Sequence, residues 1–194
     1  MSPAWRAGWW AQARQVPSPN FGPRPDGLPV TLAVVHSISL PPGEYGSDAI
    51  ERLFTNRLAW QAHPYYEQIR GLQVSTHFLI RRDGELLQFV SCEQRAWHAG
   101  ASAWKGRENV NDFSIGIELE GLEGGRFMPA QYLRLAGTLR SLEGAYPIGE
   151  VVGHEHVAPA RKSDPGAGFS WPRLARLLRG SGLRLPALDV CGEA

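Results

Sequence analysis

Cysteine is scarce in this chain: two residues among 194, Cys92 and Cys191. They stand far apart and form no CxxC pair. A disulfide framework is therefore excluded as the organising principle, and a reducing compartment fits best. An excess of charge of one sign is absent too. Twenty Lys and Arg face nineteen Asp and Glu, a net charge of +1. That removes any bulk electrostatic case for binding nucleic acid or an anionic membrane. Long apolar runs are missing as well, since none approaches the ~18 residues of a membrane helix. The opening MSPAWRAGWWAQARQV is interrupted by Arg6, Gln12 and Arg14, so it lacks the apolar core of a secretory signal. These absences lead us to expect a cytoplasmic protein with no nucleic-acid and no membrane partner.

What is present is ordinary globular composition, 43% hydrophobic and 20% charged, with 22 Gly and 15 Pro that imply many turns. The length favours one domain over residues 1–194, able to bury about 70% of its unfolded surface. Its core is expected over about 17–180, with 183–194 as a loose tail.

Residues 7–16 read as a short edge strand or coil leading into a Pro-rich loop, with Trp9 and Trp10 packing on the domain. VTLAVV (30–35) reads as a buried strand ending at His36. Ser47 is placed to cap a helix reaching Thr55. Residues 56–72 are irregular and ring-rich, and His63, Tyr65 and Tyr66 are candidates to line a groove or simply to pack. Residues 74–81 and 85–90 flank Asp83-Gly84, a hairpin pattern. His77 falls inside the first of these runs. His98 reads either as a substrate contact or as a buried hydrogen-bonding residue.

FSIGIELE (113–120) is strand-like. Ile115, Ile117 and Leu119 share one face, and Glu118 and Glu120 the other. Gly116 among these strand formers allows close approach of another group. Pro129 suits the first turn of a helix to Glu143, with a stripe of Tyr132, Leu135, Ala136, Leu139 and Leu142. Ser170 and Pro172 start a last helix to Arg179, with Leu174, Leu177 and Leu178 inward. Strands interspersed with helices, one pair of them a hairpin, indicate a single α/β domain: a mixed central sheet flanked by helices.

The densest chemistry lies in GHEHVAPARKSDPG (153–166), a loop after a β-like run at 148–152. It holds His154, His156, Lys162 and Asp164, and such a loop is either a solvated surface or a site. His36 also ends a β-run, and a satisfied structural histidine is the alternative for it. Two imidazoles and a carboxylate suit a catalytic zinc with a fourth position open. Zinc brings the pKa of bound water to about 7. A carboxylate to relay the proton is then needed, either Glu118 or Glu120. Lys162 is a candidate cation for charge building on a carbonyl oxygen. Spacing alone does not single these residues out.

Five stretches, VVHSISLPPGEYG, STHFLIRRDGE, FVSCEQRAWHAG, NDFSIGIELEG and GHEHVAPARKSDPG, do. In this order they resemble the cytoplasmic zinc-dependent 1,6-anhydro-N-acetylmuramoyl-L-alanine amidases. These belong to the wider N-acetylmuramoyl-L-alanine amidase type 2 and peptidoglycan recognition protein family. The likeness runs from about Pro17 to Trp171. It implies zinc (Zn2+) held by His36, His154 and Asp164, Glu118 as general base and Lys162 as transition-state stabiliser. The implied substrate is a small-molecule muropeptide of peptidoglycan recycling, cut between the lactyl group of 1,6-anhydro-N-acetylmuramic acid and L-alanine. A monomer is expected. His156 falls outside the implied ligand set. Ser37, where Asn is usual, and Gln73, where Arg is common, depart from the pattern and are expected to touch substrate. Some members of the wider family lack metal ligands and only bind glycan-peptide, so a non-catalytic binding module is the competing class. The complete set of two His, Asp, Glu and Lys favours the enzyme.

Overall fold

The computed structural model describes residues 4–186. Its strands are β1 (Trp5–Arg6), β2 (Trp9–Trp10), β3 (Arg14–Gln15), β4 (Phe21–Gly22), β5 (Leu32–Ile38), β6 (Phe78–Ile80), β7 (Leu86–Gln88), β8 (Arg95–Ala96), β9 (Ala103–Trp104), β10 (Arg107–Glu108), β11 (Ser114–Glu120) and β12 (Glu150–Gly153). The α-helices are α1 (Ala49–Phe54), α2 (Pro64–Gln68), α3 (Pro129–Ala145), α4 (His154–Val157) and α5 (Trp171–Leu177). Six strands form one sheet in the order β12-β5-β11-β6-β7-β3. β6 and β7 are antiparallel and the other pairings in this sheet are parallel. This is the mixed sheet that the sequence implies. Its antiparallel pair turns at Asp83-Gly84, where Gly84 takes φ +91°, a value that penalises any residue with a Cβ. Both hairpin strands are shorter than the 74–81 and 85–90 read from the sequence.

β11 lies between β5 and β6 and is buried along its whole length. Ile115, Ile117 and Leu119 face α3, meeting Tyr132, Leu135, Ala136, Leu139 and Leu142 in the largest core cluster. Each leucine fully buried there contributes about 1.5–3 kcal/mol of transfer free energy. Pro129 opens α3 at its first turn, where a missing N–H costs nothing. The opposite face of the sheet carries two smaller apolar clusters. One joins Ile50, Leu53 and Phe54 of α1 to Leu79 and Leu87. The other joins Leu32 and Val34 to Val110, Val152 and Val157. The even-numbered side chains of β11, among them Glu118 and Glu120, share this face, as their alternation requires. In the parallel register Glu118 pairs with His36, so the two residues point to the same side.

Some local expectations shift. β5 runs two residues beyond His36, because pairing with Leu119 and Glu120 continues through Ser37 and Ile38; His36 lies inside the strand and does not end it. The N-cap of α1 is Asp48, one residue after Ser47, while Ser47 Oγ accepts from Ala49 N–H at 3.3 Å. Ser170 caps α5 as expected, accepting from Arg173 N–H. The packed body begins before residue 17: Trp5 stacks on Trp10 with ring centroids 5.6 Å apart, and both sit in the main core with Ala13. Trp5 Nε1 donates to Ser141 Oγ of α3 at 3.0 Å. Of the expected tail, Arg184 bridges Glu150 at the sheet edge and its carbonyl accepts Val151 N–H at 2.9 Å. Residues 187–194, with Cys191, lie outside the described residues. Cys92 is a buried free thiol. No described helix is long and apolar enough to cross a membrane.

Candidate metal centre

His36 projects from β5 and His154 opens α4, directly after the neighbouring strand β12. Asp164 arrives by a return loop. Ala158 N–H donates to His154 O, and Arg161 and Lys162 N–H both donate to Ala158 O, which curls the chain back. Glu155 N–H then donates to Asp164 O at 2.9 Å, pinning the aspartate beside the helix start.

The result is three donor groups facing one point. His36 Nδ1 lies 3.0 Å from His154 Nδ1 and 3.2 Å from Asp164 Oδ2. His154 Nδ1 lies 3.2 Å from Asp164 Oδ2. The three residues are buried, and among the described residues they are the cluster of His, Cys, Asp and Glu able to hold a metal ion, with ligand atoms within 4.8 Å of one another. Donors about 2.0–2.1 Å from a tetrahedral zinc stand about 3.3 Å apart, close to the spacing here. The donor set therefore fits a divalent metal of the zinc type.

Burial pushes His36 down to about 4, opposed by the neighbouring Asp164 carboxylate, which raises it. Burial also pushes Asp164 up, but its closeness to His154 and His36 outweighs it and holds the carboxyl well below the usual carboxylate range. Neutral imidazole and ionised carboxylate are the forms that ligate metal.

Glu118 and Lys162 complete the cluster at the mouth. Glu118 is buried, and its Oε2 has no hydrogen-bond partner. Burial, reinforced by the Asp164 charge and opposed by Lys162, raises its pKa well above the carboxylate norm. Glu120 is occupied elsewhere. Its Oε1 accepts from Gly46 N–H at 2.6 Å and from Arg81 Nη1 at 3.3 Å, and its Oε2 accepts from Arg82 N–H at 3.2 Å. It ties the hairpin to the loop before α1. The two strand neighbours thus have different surroundings, which sequence alternation alone left undecided.

His36, Glu118, His154, Lys162 and Asp164 line one cleft of about 350 Å³. Its far wall is apolar and aromatic, with Leu40, Tyr65, Ile69, Val74 and Trp97. A larger depression of about 570 Å³ beside α3 is lined by no histidine or cysteine, and its titratable side chains are Asp83 and Arg134. The three candidate metal ligands all line the smaller cleft. Ser37 lines it with an unpartnered Oγ, whereas Gln73 is exposed and outside the lining. Of the ring-rich segment, Tyr65 lines the cleft, His63 caps α2 through Nδ1 and Tyr66 is buried. His156 Nδ1 accepts from Gly153 N–H at 2.9 Å and packs edge-on to Trp171, a structural role. His77 Nδ1 accepts from Gly116 N–H at 3.0 Å.

Sequence reasoning undervalued His98. Its Nδ1 sits 2.9 Å from His36 Nε2, and it lines the cleft. The available signal was Gly116: a Cβ there would fall 2.5 Å from His98 Cγ. The group whose close approach that glycine permits is this imidazole.

Comparison with known proteins gives a consistent likeness. Residues 26–167 match the family described as N-acetylmuramoyl-L-alanine amidase. The chain is 51% identical over 173 residues to the 1,6-anhydro-N-acetylmuramyl-L-alanine amidase AmpD of Salmonella typhimurium strain SL1344, covering 88% of this chain and 92% of that one. A crystal structure of a selenomethionine derivative of AmpD superposes with a TM-score of 0.86 at 51% identity, covering 89% of this chain and 98% of that one. The E. coli amidase AmiD, in complex with the substrate anhydro-N-acetylmuramic acid-L-Ala-D-γ-Glu-L-Lys, matches with a TM-score of 0.57 at 28% identity, covering 78% of this chain and 59% of that one.

Proposed function

The chain belongs to the N-acetylmuramoyl-L-alanine amidase family, and from that premise we propose that it is a zinc hydrolase of cytoplasmic peptidoglycan recycling. The bond cut is the amide between the lactyl carbonyl of 1,6-anhydro-N-acetylmuramic acid and the L-alanine of the stem peptide. The observation that carries this reading is the convergence of His36, His154 and Asp164 on one point, beside the unpartnered buried carboxylate of Glu118. AmpD, with about half its residues identical, is named for this activity.

His36, His154 and Asp164 would hold the zinc. Zinc bound there would supply a Lewis acid able to polarise a carbonyl and to bring the pKa of water to about 7. Glu118 is the general base: its Oε2 takes the proton of the attacking water and then delivers it to the departing alanine nitrogen. Attack places negative charge on the former carbonyl oxygen. Lys162, exposed on the cleft rim, sets its ammonium against that charge. The apolar wall of Leu40, Tyr65, Val74 and Trp97 receives the remainder of the muropeptide and shields the reacting amide from bulk water.

A dedicated recycling enzyme works on small soluble fragments. Removal of the peptide from anhydro-muropeptide is expected to run far faster than release of peptide from intact sacculi, with both products followed by chromatography. Comparable rates on the two would remove the recycling assignment while leaving the amidase.

A further inference from the structure

The site has a built-in control of which ring nitrogen each histidine presents, and it can be followed atom by atom. It starts at the Val110 carbonyl oxygen, which only accepts hydrogen bonds. Ser114 Oγ lies 2.6 Å from that oxygen, so the hydroxyl proton points there. Ser114 Oγ therefore acts as acceptor towards His98 Nε2 at 3.1 Å, and that nitrogen carries the ring proton. A neutral imidazole has a single N–H, which leaves His98 Nδ1 bare. At 2.9 Å it accepts from His36 Nε2–H. His36 is then left with an unprotonated Nδ1, the atom that faces His154 and Asp164.

The next residue of the same loop does the equivalent for His154. The Ala99 carbonyl lies 3.1 Å from His154 Nε2, so that nitrogen carries the proton and Nδ1 is free. Arg161 donates to Ala99 O at 2.7 Å and to Ala101 O at 2.9 Å, clamping this loop to the segment that carries Lys162 and Asp164. Asn111 Oδ1 fixes the loop from the other side, accepting from the backbone N–H of His98 and Ala99 at 3.2 and 2.8 Å.

We propose that His98 is a positioning residue, which sets the tautomer and ring orientation of His36 through the chain Val110–Ser114–His98–His36. The proposal rests on reading His36, His154 and Asp164 as metal ligands. Outer partners of this kind typically change metal affinity 10–100-fold. Gly116 is part of the device, because the His98 ring occupies the volume that any Cβ at 116 would need.

The test uses two substitutions of nearly equal size. His98→Asn places an amide oxygen where Nδ1 was and keeps an acceptor for His36. His98→Leu removes it. Zinc affinity is measured by chelator competition, and the His36 tautomer by long-range proton–nitrogen NMR on the metal-free full chain. Wild type and His98→Asn are expected to bind zinc within a few-fold of each other, with the proton of His36 on Nε2. His98→Leu is expected to bind about 10–100-fold more weakly, with both His36 tautomers populated. Ser114→Ala, which frees His98 to take either tautomer, is expected to fall between. Equal affinity in the Leu and Asn variants, with an unchanged His36 tautomer, overturns the proposal. Should His98→Leu fail to fold, a Ser114→Ala variant with wild-type affinity and tautomer overturns it as well. Wild-type protein that binds no zinc refutes the ligand reading instead, and the tautomer in metal-free protein still reports on His98.

Discussion

Glu118→Gln is expected to lose roughly 10³–10⁴-fold in turnover, near the upper end of what a single general acid–base residue contributes, while zinc content and substrate affinity stay close to wild type. The substitution preserves shape but removes the basic oxygen. That oxygen has no partner within the protein, so its loss breaks no internal hydrogen bond and the fold is expected to persist. Glu120→Gln is expected to behave in the opposite way. Glu120 holds Gly46, Arg81 and Arg82, so removing its charge is expected to cost about 1–3 kcal/mol of stability with near-normal turnover per folded molecule. Steady-state kinetics on both variants, alongside thermal melts, separate the two roles. A near-normal Glu118→Gln beside a dead but folded Glu120→Gln would move the base two residues along the strand.

Asp164→Ala is the second large effect. It removes the single carboxylate from a buried three-donor set, and zinc affinity is expected to fall by more than the ~10²-fold that loss of an outer partner causes. Activity goes with it. The sheet should survive, because Asp164 contributes to the surrounding structure through its backbone carbonyl, which Ala retains for the bond from Glu155 N–H. Metal analysis of purified protein and far-ultraviolet circular dichroism read the two halves of this expectation. Full zinc occupancy in a folded Asp164→Ala protein would sink the ligand assignment.

Much of the fold was legible where a local rule and the tertiary structure agree. The Asp83-Gly84 hairpin, the Pro129 start of α3 and its stripe from Tyr132 to Leu142 all appear as read. Misreadings arose where a distant strand decides. The polar pair His36-Ser37 looked like the end of a strand, yet parallel pairing with β11 carries β5 through to Ile38. The packing of Trp10 was legible, but the core was expected to begin near residue 17, and Trp5 and Trp10 stack within it.

At the site, the residue types in GHEHVAPARKSDPG announced the chemistry but not its partners. His36 and His154 are 118 residues apart, and the parallel pairing of β5 with β12 brings them together. The choice between Glu118 and Glu120 was open on alternation alone, and the contacts around Arg81 account for one of the two. His98 was ambiguous because its partner His36 lies 62 residues away. Gly116 announced that something approaches the strand without saying what.

The central claim is that this site hydrolyses the lactyl amide with zinc. It is tested most directly by incubating zinc-replete protein with 1,6-anhydro-N-acetylmuramoyl peptide in ¹⁸O-labelled water and resolving the products by mass spectrometry. The account predicts separate sugar and peptide, with the heavy oxygen in the lactyl carboxylate and none in the peptide, and no cleavage after zinc is stripped by chelation. Intact muropeptide bound to zinc-replete protein but never cut would contradict it, and would identify the chain as a binding module.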